Sequence, residues 1–131
     1  MRFTENELTV AVTAAAKTVL AARKDVRRGR QDVDVVWEAL TRYERYQILE
    51  GVGSQVLAVL VALPDVEVAP GTRPTFTDRQ ILETVESVVG DDLGRLRRAV
   101  ALAARVALVK SALAGLPPRQ DPDALTVPDH L

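Results

Sequence analysis

With 131 residues, 47% apolar and 27% charged, the chain has the size and composition of a single domain that buries its own core, and not those of a disordered segment. It contains no cysteine, which excludes disulfides, thiolate metal sites and thiol nucleophiles. Seventeen basic side chains stand against 18 acidic ones, so the formal net charge of −1 offers no general attraction to nucleic acid or an anionic membrane, and any such binding needs a local patch.

The longest apolar stretches, Val56 to Leu63 and Ala99 to Val109 with Arg105 inside it, are shorter than the roughly 20 residues that cross a bilayer. The opening octet MRFTENEL carries helix-start residues rather than a basic stretch followed by an apolar run, so no signal peptide is expected. A cytoplasmic protein without membrane contact is the expectation.

The first helix is expected from about residue 5 to residue 28. Phe3, Thr4, Glu7 and Leu8 have the spacing of a hydrophobic staple around a capping box. Leu8, Val12, Ala15, Val19, Ala22 and Val26 follow in alternating steps of four and three, the seam of helices packed nearly antiparallel. Gly29 is expected to take the left-handed position past the helix end. Asp32 or Asp34 can cap the next helix, which carries Val36, Leu40 and Tyr43 on one face with Trp37 beside them. Thr41 and Glu44 form a second capping box, where that helix is expected to break and restart. The stripe resumes with Leu49, Val52, Val56, Val59 and Leu63, and Pro64 ends it. Gly51 and Gly53 fall inside it at about 1 kcal/mol each relative to Ala, so either a break or a close neighbouring backbone is expected there.

Residues 64–75 hold three prolines and read as a loop without a sheet. Phe76, Thr77, Gln80 and Ile81 then repeat the staple and box, opening a helix to about residue 89 with Ile81, Val85 and Val88 inward. Gly90 and Asp91 are expected to close it and cap a last helix from about residue 92 to 114. That helix has two apolar stripes on opposite sides: Leu96, Val100, Ala103 and Ala107, and then Leu102, Val106, Val109 and Leu113. A helix apolar on two sides is sandwiched, either at the centre of its own bundle or against another chain. Gly115, Pro117 and Pro118 end it. The pattern as a whole predicts an all-α fold: a compact bundle of four to five helices over residues 1–118, with a Pro-rich loop at 64–75 and an extended tail over 119–131 that docks on the bundle through Leu125, Val127 and Leu131.

Catalytic groupings are sparse. His130, in the tail, is the only histidine, so the paired Glu-x-x-His ligands of di-iron bundles are missing. Glu83 and Glu86 lie three apart and are followed by Asp91 and Asp92, a set able to hold Mg²⁺ for a phosphate substrate, but a second acidic pair is lacking and Glu38, Glu44 and Glu50 are scattered. A magnesium-dependent hydrolase of phosphate substrates is therefore a third-ranked reading. The Gly51 to Ser54 segment follows no strand and lacks the lysine of a phosphate loop, and Ser54, Ser87 and Ser111 have no histidine within the fold. No catalytic, cofactor-binding or metal-binding residue is assigned, no cofactor is expected, and the chain is not expected to be an enzyme.

Residues 78–100 read as helix, glycine-containing turn and helix, with Arg95, Arg97 and Arg98 near the start of the second. A DNA-binding regulator is accordingly the second-ranked reading. Asp91 and Asp92 at the groove-entering end, Glu86 at a position usually small and apolar, and the length of the second helix weigh against it. The basic run from Arg23 to Arg30 is explained by the negative end of the first helix. The leading expectation is a protein interaction or assembly module, a homodimer or a complex with another protein, using Leu102, Val106, Val109 and Leu113 together with Tyr46, which lies beside Arg42 and Arg45.

Overall fold

The computed structural model describes residues 1–90 and 94–120. Among them are six helices and no strand: α1 (Glu5–Ala21), α2 (Lys24–Gly29), α3 (Val33–Ala39), α4 (Arg42–Ala62), α5 (Asp78–Val88) and α6 (Arg95–Ala114). Three of the four longer ones begin with the same device. Thr4, Thr41 and Thr77 each accept an N–H from the residue three positions on, and Glu7, Glu44 and Gln80 accept the threonine N–H in return at 2.9, 3.0 and 2.8 Å. Each threonine contributes about 1 kcal/mol by satisfying a donor that the helix itself cannot.

The apolar stripes settle the packing. The ammonium of Met1 donates to the Val61 carbonyl at 3.0 Å and to that of Leu63, and Val12 lies against Gly53, so α1 and α4 run antiparallel. Gly115, just past α6, sits on Ala14, while Leu108 and Val19 line one groove, so α6 is antiparallel to α1 as well. Lys110 pairs with Asp78 at 2.8 Å and holds α5 back along α6 as a hairpin. α4 and α6 therefore run in the same direction, touch one another, and each contacts both α1 and α5. Ala11, Ala15, Ala16, Leu20, Val56, Val59, Leu60, Val85, Val109, Ala112 and Leu116 fill the space between them. The alanines of α1 bring its neighbours close: a Cβ built on Gly115 would overlap the Ala14 methyl. The short α3 closes one end with buried Trp37 and is tied to α1 by Lys17 and Asp34 at 2.8 Å.

Several local details differ from the sequence pattern. The first helix does not reach residue 28; it stops at Ala21, Arg23 is extended at ψ 140°, and the chain restarts as α2. No glycine or proline marks this bend. Tertiary packing sets it, overriding propensities worth only tenths of a kcal/mol per residue, and leaves Val26 buried. Gly29 stays within α2, and the left-handed position falls to Arg30 at φ 49°. α4 runs straight through Gly51 and Gly53; a Cβ on Gly51 would meet nothing within 4 Å, and one on Gly53 would meet side chains of Leu57 and Val12, not a backbone. Tyr43 is 67% exposed instead of inward, because extended Leu40 (ψ 148°) ends α3 and the box at Thr41 restarts the helix in a new phase. α6 begins at Arg95 with Gly94 as its cap, and the expected capping by Asp91 lies outside the described residues.

The loop after α4 contains no strand, as anticipated, and it is fastened by Arg119. The backbone of Arg119 donates to the Thr72 carbonyl at 2.8 Å and accepts from Gly71 at 2.7 Å. Its guanidinium meets both carboxylate oxygens of buried Glu7, at 3.1 and 3.2 Å, and the Arg2 carbonyl at 3.3 Å. One residue thus joins the start of α1, the proline loop and the segment leaving α6. The expected docking of the tail through Leu125, Val127 and Leu131 lies outside the described residues.

Candidate interaction surface

α6 decides the candidate surface. Its 20 residues include Arg95, Arg97, Arg98, Arg105 and Lys110 and no acid. The stripe of Leu102, Val106, Val109 and Leu113 turns inward: Val109 is fully buried and the other three pack partly buried against the core. Those four residues, expected at a partner interface, are placed in the chain's own core. The other stripe faces out, with Leu96 81% exposed and Val100 66% exposed, and with Ala103 and Ala107 also exposed. Periodicity treats two opposite stripes alike, but burial does not. Four large aliphatic side chains remove more apolar area from water than two large ones and two alanines, at roughly 25 cal/mol per Å².

Leu96, Arg97, Val100, Ala101 and Ala104 line a shallow apolar groove of about 320 Å³ on this outer face. Helical spacing continues the face through Ala107 to Ala114, so it runs the length of α6 and is small from the middle onward. Its charged neighbours are Arg97 on one flank and Lys110, already paired with Asp78, on the other. Tyr46 sits on a different helix, α4, where Tyr43, Leu57 and Val61 are exposed with it. A hydrogen bond with Glu50, reinforced by that carboxylate's charge, raises the Tyr46 hydroxyl above its ordinary pKa of 10.0.

The other sequence candidates take ordinary structural places. Arg95 and Arg97 are exposed at the start of α6, whereas Arg98 is half-buried, so the three arginines do not form one outward row. Glu83 pairs with Arg79 at 2.9 Å on the surface, and Glu86 is exposed. Asp91, Asp92 and His130 lie outside the described residues, among which no group of three or more His, Asp or Glu could hold a metal ion. The Ser54 and Ser87 hydroxyls donate to the Gly51 and Thr84 carbonyls at 2.9 and 2.6 Å. Among the described residues no helix is long and apolar enough to cross a membrane.

Two features escaped the sequence. A groove of about 350 Å³ runs between α1, α4 and α6, lined by Val19, Arg23, Glu44, Ile48, Gln55 and Leu108. Bonds from the Thr41 backbone and hydroxyl, with nearby Arg23 adding to them, hold the Glu44 carboxyl below its ordinary 4.5. The capping box signalled Glu44, but nothing local signalled Arg23 across the groove. The Glu7 and Arg119 pair, 112 positions apart, likewise has no local signature. Comparison with known protein families, with curated proteins and with solved structures finds no match to this chain.

Proposed function

We propose that the protein is an assembly module of the cytoplasm, a binding protein and not an enzyme, which presents the outer face of α6 to a protein partner. The observation that carries this reading is the exposure of Leu96 and Val100 one turn apart, continued by exposed alanines along the same face. A long apolar face held in water is costly at roughly 25 cal/mol per Å², and covering it with a partner recovers that energy. A photoreactive amino acid at Val100 in cells of the source organism tests the reading, with exposed Thr9 on α1 as control. A discrete adduct is expected from position 100 alone, and it should vanish when Leu96→Glu is added. Equal labelling from both positions would reject the α6 surface.

DNA contact is the second reading, favoured by exposed Arg95 and Arg97 at the start of α6. Leu96 and Val100 interrupt those arginines on the exposed side, which suits an apolar partner better than a phosphate backbone.

A further inference from the structure

We infer that the occupant of the α6 outer face is a second copy of this chain, with the two α6 helices packed antiparallel about a two-fold axis between Ala103 and Ala104. The inference rests on the α6 docking reading and adds the partner and the register.

Its basis is the uneven size of side chains along the face. The first half carries Leu96 and Val100, both strongly exposed; the second half carries Ala107, Ser111 and Ala114; alanines 103 and 104 lie between. An antiparallel pair centred on those alanines sets Val100 opposite Ala107 of the partner subunit and Leu96 opposite Ser111 of the partner subunit. Large then meets small at both ends, and the central alanines let the backbones approach. A parallel pair would put Leu96 against its own copy and leave the alanine half without contact. Charge agrees with shape. The last turn of α6 has no basic residue of its own, and the helix dipole places its negative pole at that end. Antiparallel packing brings Arg97, on the flank of the groove, to that end of the partner. Because two-fold packing sets each flank against its own copy, Arg97 and Lys110 of opposite subunits stay apart.

A single helix face is narrower than the roughly 1,600 Å² of a standard stable interface, so the association is expected to be reversible at micromolar concentrations. Sedimentation equilibrium of the full chain from micromolar to millimolar concentration should follow a monomer–dimer curve, and Leu96→Glu should weaken association by about tenfold or more. Circular dichroism at low concentration verifies that the variant remains folded. The absence of cysteine makes single-cysteine variants a clean measure of register. With a short bismaleimide, Ala103→Cys should crosslink to itself, and Leu96→Cys should crosslink to Ser111→Cys in a mixture but not to itself. Efficient self-crosslinking of Leu96→Cys would mean a parallel pair and overturn the register. A strict monomer at millimolar concentration would overturn the dimer, while a different protein captured from position 100 would leave α6 as a docking face. No association and no adduct would remove both.

Discussion

Gly115→Ala tests the close approach of α1 to the end of α6. Gly115 lies at φ −88° and ψ −5°, a conformation any residue adopts, so the substitution adds no backbone strain. Stiffening the unfolded chain would by itself stabilise by about 0.4–1 kcal/mol. The new methyl, however, would overlap that of Ala14, with the Ala14 Cα at 3.7 Å and the Ala112 carbonyl oxygen at 3.5 Å behind it. Both methyls are fixed directly to backbone and neither can rotate aside, so α1 and the end of α6 must move apart at the cost of an overpacked core, about 1–3 kcal/mol. The balance is a loss of about 1–2 kcal/mol. Ala14→Gly alone should cost about 1 kcal/mol through helix propensity. In the double variant the methyl has only moved from one helix to the other, so the combined loss should fall short of the sum by about 1 kcal/mol or more. Urea unfolding followed by circular dichroism gives all four free energies. Additivity within about 0.5 kcal/mol, or a Gly115→Ala protein as stable as the parent, would refute the close contact.

Arg119→Met strips buried Glu7 of its guanidinium and should destabilise by about 2 kcal/mol, more than Glu7→Gln, whose amide oxygen still accepts the Thr4 N–H; the reverse order in urea unfolding would contradict the pairing. Glu44 has its carboxyl pKa lowered on folding, so its contribution is complete above the ordinary carboxylate range and is lost as pH falls through the folded value. Glu44→Gln should therefore flatten the acid limb of stability against pH, and an unchanged limb would count against the Thr41 bonds. Tyr46 is raised, so its contribution is present below the ordinary tyrosine value and fades as pH climbs through the folded one; Tyr46→Phe should remove that alkaline slope. Retention on heparin should be weak and little changed by Arg95→Ala with Arg97→Ala, whereas strong, steeply salt-dependent retention lost in that variant would promote the DNA reading.

The parts legible in the sequence were those set by near neighbours. Three threonines with their partners three residues on are complete hydrogen-bonding units, and Pro64 and the prolines after Gly115 stop helices through chemistry confined to a few residues. The two stripes of α6 were legible as well, but not which of them faces inward, because period fixes a direction around the helix and says nothing of what lies there. Tyr43 illustrates the same limit: one extended residue at Leu40 rotates everything after it. The bend at Arg23 and the meeting of Arg119 with Glu7 depend on surfaces brought together from distant parts of the chain, and no local spacing encodes them.

The meeting of Glu7 and Arg119 also orders events in time. α1 is synthesised before the helices it packs against, yet Ala14 gains Gly115 as its neighbour, and Glu7 its cation, only when the segment beyond α6 has been made. Until then a nascent chain has to carry part of its alanine face open to solvent, and closing so large a loop costs chain entropy. Folding is expected at the slow end for helical bundles, and a chain cut before α6 should be a client for chaperones and proteases instead of a smaller domain.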